Sequence, residues 1–268
     1  MTEIKLSSAV IDYEVEGQGP ALVFAHGAGG NRLSWWQQVP AFMDRYTCIT
    51  FSHPGFGTSS WIGDAADSVE YSEVLLELLD RFEIEKVILV AQSMGGWTCL
   101  PIAVYEPQRV DALFMASTPG SLRTPDIDGA REANRSRLDA LRKAWVERCD
   151  GSFNPALGDR CMREQPALHY LYSAIQDLNS PRTFSPRVGI EPGELAGYST
   201  PTMFVTGEED VVLPSDVIAA AADVTPGALL QRVPDAGHSV YFERPEIFNS
   251  LLSNFLQAVS QKKLQNGV

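Results

Sequence analysis

The apolar run Lys86-Val87-Ile88-Leu89-Val90 passes directly into Ala91-Gln92-Ser93-Met94-Gly95-Gly96, and no other junction in the chain limits its fold so tightly. A buried strand that ends on a serine between small residues suits a sharp strand-to-helix turn, which leaves no room for bulk on either side. Ser93 is therefore the candidate nucleophile. Ala91 stands where such turns usually carry their first glycine, and a single methyl is small enough for that place. Gly95 and Gly96 open the far side and let a helix over about Gly95 to Tyr105 pack close to the strand. A short motif of this kind has many chance matches. Its weight comes from what the rest of the chain supplies.

A serine hydroxyl is a poor nucleophile at neutral pH, so it needs a general base within hydrogen-bond reach and an acid that orients the base. The chain has 4 histidines: His26, His53, His169 and His238. His238 sits in the turn Asp235-Ala236-Gly237-His238-Ser239, just after the strand-like segment Ala228 to Val233. Upstream, Pro201-Thr202-Met203-Phe204-Val205-Thr206-Gly207 is a second strand-like run, and it leads into Glu208, Glu209 and Asp210. Catalytic groups of open parallel sheets gather in loops at strand ends. With Asp210 as the orienting acid, the chain order is Ser93, Asp210, His238, which is neither the chymotrypsin nor the subtilisin order.

On these motifs the chain resembles the α/β-hydrolase superfamily, in its lidded esterase-like branch, from about residue 22 to residue 255. A fourth motif strengthens the resemblance: His26-Gly27-Ala28-Gly29-Gly30 follows the apolar run Ala21 to Ala25. By resemblance, the backbone N–H groups of Ala28 and Met94 form an oxyanion hole, and Asp210 holds the acid position after Gly207. One such donor contributes about 3–4 kcal/mol to catalysis. His26 is expected to brace its loop rather than act as the base. The glycine-rich turn His53-Pro54-Gly55-Phe56-Gly57 also matches relatives, although they commonly carry aspartate where this chain has Ser52. Gly55 and Gly57 read as turn glycines, since a dinucleotide site needs a third glycine and an acidic ribose contact.

Strand-like runs near residues 9–15, 21–26, 46–51, 86–91, 112–117, 202–206 and 229–233 alternate with helical patterns. That alternation predicts an α/β fold with a mostly parallel, doubly wound sheet. Leu75, Leu78, Leu79 and Phe82 form one helical stripe, and Leu251, Leu252, Phe255 and Val259 form another; both are expected in the core. Residues 119–199 break the rhythm. Leu138, Leu141, Trp145 and Cys149 share a helical face there, and a second helix is expected from about Pro166 to Leu178. The predicted partition is a hydrolase core of residues 1–118 and 200–268, with residues 119–199 inserted as a helical lid over Ser93. Trp145, Phe153, Met162, Tyr170, Tyr172 and Phe184 are the expected pocket lining, and His169 reads as a histidine tucked into the lid.

Composition fits one sizeable core: 268 residues, 44% hydrophobic and 21% charged. A net charge of −13 argues against nucleic acid and anionic membranes as partners. No signal segment and no run of membrane-spanning length is visible, and the four cysteines Cys48, Cys99, Cys149 and Cys161 are irregularly spaced. A cytoplasmic protein, monomer or homodimer, is the expectation. The resemblance implies a serine hydrolase that cleaves a small carboxylic ester or lactone through an acyl-enzyme, with no metal or organic cofactor. Epoxide hydrolases and haloalkane dehalogenases share the fold but use an aspartate nucleophile, and position 93 is serine. Carbon–carbon bond hydrolases of aromatic ring-fission products remain an alternative. They often carry tryptophan where this chain has Ser239, and a basic residue near the end of the lid that Arg182 or Arg187 could supply. A non-hydrolytic receptor or a cofactor-free oxygenase on the same fold is the second alternative.

Overall fold

The computed structural model describes residues 2–148, 154, 156–176 and 189–265. Among the described residues there are nine strands: β1 (Thr2–Lys5), β2 (Ala9–Glu16), β3 (Ala21–Ala25), β4 (Thr47–Phe51), β5 (Ser60–Trp61), β6 (Val87–Gln92), β7 (Val110–Ala116), β8 (Thr202–Gly207) and β9 (Leu229–Val233). The helices are α1 (Val39–Phe42), α2 (Tyr71–Arg81), α3 (Gly95–Tyr105), α4 (Pro125–Arg148), α5 (Asp159–Glu164), α6 (Pro166–Ile175), α7 (Ser215–Val224), α8 (Val240–Glu243) and α9 (Pro245–Gln265). The seven strands expected from sequence are all there. The short strands β1 and β5 are additions.

All nine strands join one sheet in the order β1-β2-β4-β3-β6-β7-β8-β9, with β5 on β2. Pairing is parallel from β4 through β9, while β1, β2 and β5 pair antiparallel. Successive side chains of a strand face opposite sides of the sheet, and the core divides accordingly. Val23, Ala25, Leu89, Ala91, Leu113 and Met115 enter one layer, with residues of α2, α3 and α7. Leu22, Phe24, Ile88, Val90, Phe114 and Ala116 enter the other, with α8 and α9. Continuous apolar runs were needed because both faces are covered.

The sheet order also locates the site. After β3 the chain moves outward to β4, then returns past β3 to lay β6 on its other side. Strand order reverses there, and crevices at such switch points, beyond the carboxyl ends of the strands, are where ligands bind in open α/β sheets. The loops after β3 and β6 carry His26 to Gly30 and Ser93.

Between β7 and β8 lie α4, α5 and α6. Thr124 caps α4 by accepting the Ile127 N–H on its hydroxyl at 3.1 Å, and Pro125 takes the first helical position, where a missing N–H costs nothing. Leu138 of the anticipated helical face is buried; the side chains of Leu141 and Trp145, and Cys149 as a whole, lie outside the described residues. The base of the insertion is built into the core: Leu122 bridges to Ile190, and both join Ile127 and Leu195 in the layer with α2, α3 and α7. No described helix is long and apolar enough to cross a membrane.

Helix α3 approaches β3 closely at Gly95, where a Cβ would sit 2.2 Å from the Ala25 carbonyl oxygen. Relief requires β3 and α3 to move apart, and overpacking of this kind costs about 1–3 kcal/mol. Gly95→Ala should therefore lower the urea midpoint with an unchanged slope. An unaltered midpoint would show that the contact does not constrain the fold.

Candidate active site

Ser93 stands one residue beyond β6 with φ of 49°, in the left-handed region that a residue with a Cβ rarely adopts. Its N–H continues the ladder to the Ala116 carbonyl at 3.0 Å, and its carbonyl accepts from Gly96 at 2.9 Å as α3 begins. The backbone therefore turns sharply and leaves the side chain half-buried at the sheet edge. Small residues surround it by necessity. A Cβ on Gly96 would fall 2.4 Å from Thr118 Oγ1, and one on Gly27 would fall 1.9 Å from Gln92 Oε1 and 3.0 Å from the Ser93 Cβ. The loop after β3 is thus pressed against the serine, with Ala28 exposed and Met94 buried on the two sides.

Asp210 is buried in the turn after β8, where its Oδ1 accepts the N–H groups of Val212 and Leu213, each at 2.8 Å. Its Oδ2 lies 2.8 Å from His238 Nδ1, between side chains that are 0% and 6% exposed. With Asp210 ionised, Nδ1 carries the proton and donates it, so Nε2 keeps its lone pair. His238 is held from behind as well: Gln92, the residue before Ser93, donates its amide to the His238 carbonyl at 3.2 Å. The turn at Ser93 and the loops that carry His238 and Asp210 are thereby linked through one side chain and one hydrogen bond. No hydrogen bond joins Ser93 to His238 among the described residues, as is common before substrate tightens such a site.

His26 does serve its loop. Its Nδ1 donates to the Gly27 carbonyl at 2.7 Å, which leaves Nε2 to accept the His53 N–H at 2.9 Å. His53 Nδ1 lies 3.1 Å from the same Nε2, and His53 Nε2 lies 2.8 Å from the Thr98 hydroxyl. The consistent assignment makes His53 Nδ1 a donor and Nε2 an acceptor; the opposite tautomer would set two lone pairs face to face. Ser52 takes part next door. It accepts the Arg32 N–H at 3.1 Å and donates to Asp12 Oδ2 at 3.3 Å, while Asp12 Oδ1 pairs with Arg32 Nε at 2.8 Å. A carboxylate from β2 thus reaches the Ser52 turn.

The insertion reaches the same loops. Asn31 donates to the Ile175 carbonyl at 2.8 Å, fastening the end of α6 to the loop after β3. Tyr172 is buried, its hydroxyl 2.9 Å from the Ser239 hydroxyl and its ring edge-on to Phe242. Tyr170, two residues away and therefore about 200° around the helix, is 77% exposed and faces solvent rather than a pocket. His169 is half-buried on α6. The side chains of Trp145 and Met162, and Phe153 and Phe184 as a whole, lie outside the described residues.

The sequence reading placed Glu209 only among the carboxylates after Gly207 and did not mark Glu243 at all. Glu209 Oε2 accepts the Asp159 N–H at 2.9 Å, and the buried Glu243 accepts the N–H groups of Gly158, Gly237 and Ser239 at 2.7, 3.1 and 3.3 Å. Burial pushes the Glu243 carboxyl up to about 7 against the pull of those three donors. The carboxylate directly after the apolar run Val240-Tyr241-Phe242, five residues past His238, was the available signal.

A nine-stranded, mostly parallel sheet with an acid–histidine pair beside a serine on a strained turn defines an α/β protein of the hydrolase type. The chain belongs to the Alpha/beta hydrolase family, which matches residues 22–251. Among curated relatives, the dihydrolipoyllysine-residue acetyltransferase component of the acetoin cleaving system of Pseudomonas putida is 30% identical over 254 residues, which cover 91% of this chain. The match spans only 66% of that protein's length. The 3-oxoadipate enol-lactonase 1 of Acinetobacter baylyi is 26% identical over 257 residues, 90% of each chain. Among solved structures, Est816, described as an N-acyl homoserine lactone degrading enzyme, superposes with a TM-score of 0.73 at 25% identity, covering 95% of this chain and 100% of its own.

Burial, and then the neighbouring His26, holds the His53 imidazole well below the usual histidine value of 6.5. A group depressed in the folded state contributes stability that is complete above its unfolded value and is lost as pH falls below it. The wild-type urea stability should therefore drop below pH 6.5 by up to about 1.4 kcal/mol per pH unit more than that of His53→Gln. Parallel pH profiles for the two proteins would mean that His53 is not held neutral.

Proposed function

We propose that this protein cleaves a small carboxylic ester or lactone through an acyl-enzyme on Ser93. The observation that carries the reading is the 2.8 Å contact of His238 Nδ1 with a buried Asp210 whose other oxygen is already occupied, beside a serine forced out of its strand. In this mechanism Ser93 Oγ attacks the substrate carbonyl while His238 Nε2 takes its proton. Asp210 keeps the imidazole in the required tautomer and stabilises its charged form. The carbonyl oxygen, now negative, accepts hydrogen bonds from the Ala28 and Met94 N–H groups. Collapse breaks the ester bond, and the leaving alkoxide takes the proton from His238. Water, activated by the same nitrogen, then releases the acid. In a lactone the alcohol stays tethered to the acyl group.

Lactone chemistry in two of the similar proteins supports the substrate class. Residues 119–199 act as the lid in this reading, since α5 and α6 are bonded to the loops that carry Ala28, Asp210 and His238. Ser239 stands where carbon–carbon bond hydrolases often have tryptophan, and its hydroxyl is engaged with Tyr172. Arg182 and Arg187, the basic residues of that alternative, lie outside the described residues.

A serine-directed fluorophosphonate should add once, at Ser93, and abolish hydrolysis of p-nitrophenyl acetate; peptide mapping by mass spectrometry locates the adduct. Labelling elsewhere, or a Ser93→Ala protein with most of its activity, would remove the mechanism. Asp210→Asn should lower kcat about 10⁴-fold through the wrong imidazole tautomer, whereas Glu208→Gln, at an exposed position, should leave it near wild type. In a panel of short esters, small lactones and ring-fission products assayed side by side, turnover confined to the ring-fission products would replace the ester reading with the carbon–carbon one.

A further inference from the structure

We propose that Glu243 is a positioning residue for this reaction: one carboxylate that locks the segment entering α5 and the His238 loop into a single arrangement. The inference rests on the Ser93–His238 reading given above.

Glu243 Oε1 receives the N–H groups of Gly237 and Ser239, the two residues that flank His238. Its Oε2 receives the N–H of Gly158, at 2.7 Å the shortest of the three. Two loops distant in sequence therefore share one acceptor. They also touch directly, since a Cβ on Gly237 would lie 2.4 Å from the Gly158 nitrogen. The next N–H along, that of Asp159, goes to Glu209 in the loop that carries Asp210. Consecutive donors of the insertion are thus held by carboxylates from the base loop and the acid loop.

Packing alone gives no reason for a charge at this place. Val240, Tyr241 and Phe242 fill the adjoining core layer, and a fourth apolar side chain would avoid the cost of burying a carboxylate beside Asp210. What the carboxylate provides is geometry. In a turn whose Asp235 sits at φ of 51°, Glu243 binds the N–H groups on either side of His238 while Gln92 binds the His238 carbonyl from the other direction. When Gly158 is seated, Oε2 is committed and the carboxylate plane is set, so the imidazole is aligned when the insertion is in place.

The test measures hydrolysis of p-nitrophenyl acetate by the full chain and counts active sites by fluorophosphonate adducts on Ser93. Glu243→Gln keeps the shape but offers one acceptor oxygen in place of two. Gly158→Ala approaches from the other side: its Cβ would lie 2.8 Å from the Gly237 nitrogen and 3.0 Å from Glu243 Oε2, so it unseats the contact with the carboxylate intact. In both variants kcat per labelled site should fall about 100-fold, the effect of a small misplacement of a catalytic group, with KM little changed. Glu243→Asp should recover part of the loss. If the deficit disappears once activity is expressed per labelled site, or if only one of the two variants shows it, the inference is overturned. Should Glu243→Gln fail to fold, Gly158→Ala alone decides. Ser93→Ala is measured alongside: if it keeps activity, the nucleophile reading fails and this inference falls with it. If it is inactive while both variants keep their kcat, only the role of Glu243 is lost.

Discussion

The structure depends on the backbone contact between the start of α3 and the end of β3. Gly95 lies so close to the Ala25 carbonyl that no side chain fits between them, and that closeness brings Ser93 and the His26–Gly30 loop to one edge of the sheet. Packing on both faces follows from the same geometry. With α3 drawn onto the sheet, Cys99, Leu100, Ile102 and Ala103 meet Leu89, Ala91 and Met115, and the alternate strand residues are left to α8 and α9. Strain at Ser93 is the local cost, and a close-packed frame is what can hold a residue there.

Polar groups in the interior are organised around a few acceptors. Asp210 receives two backbone donors besides His238, His26 Nε2 serves two groups of His53, and Glu243 serves three N–H groups. Each acceptor ties loops that are distant in sequence. In a low-dielectric interior such satisfied groups fix direction more sharply than apolar contacts do, because an alternative arrangement leaves a donor unpaired. Burial also raises the thiols of Cys48 and Cys161 to about 12 and pushes that of Cys99 well above its usual value, so none of these three competes as a nucleophile near neutral pH.

Much of this was legible in the sequence because strands buried on both faces leave long apolar runs, and functional loops follow those runs directly. That rule pointed to Ser93, Asp210 and His238 as candidates, and the structure brings Asp210 and His238 into contact. β1 escaped because Thr2–Lys5 holds one apolar residue, Ile4, on a sheet edge, and β5 because Ser60–Trp61 is too short for a period to appear. β7 ends at Ala116, a residue earlier than expected, because Ser117 turns to φ of 49° much as Ser93 does. Glu243, Gln92 and Asn31 were invisible for a different reason. Each has a partner far off in sequence, at 85, 146 and 144 residues, and a side chain's type does not announce a backbone group so remote. Tyr170 shows the converse failure: aromatic character suggested a pocket wall, but helical phase sent it to solvent.

The base of the insertion enters the core on both sides of the sheet. Leu122 and Ile127 belong to the layer with α2, α3 and α7, whereas Leu157, Cys161 and Tyr172 belong to the layer with α8 and α9. A cover rooted in one layer could swing about that root as a rigid flap. This one straddles the sheet, so a swing of the whole piece would strip apolar surface from two cores at once. If the insertion covers Ser93 as proposed, a rigid swing about one hinge is therefore the costly way to open it.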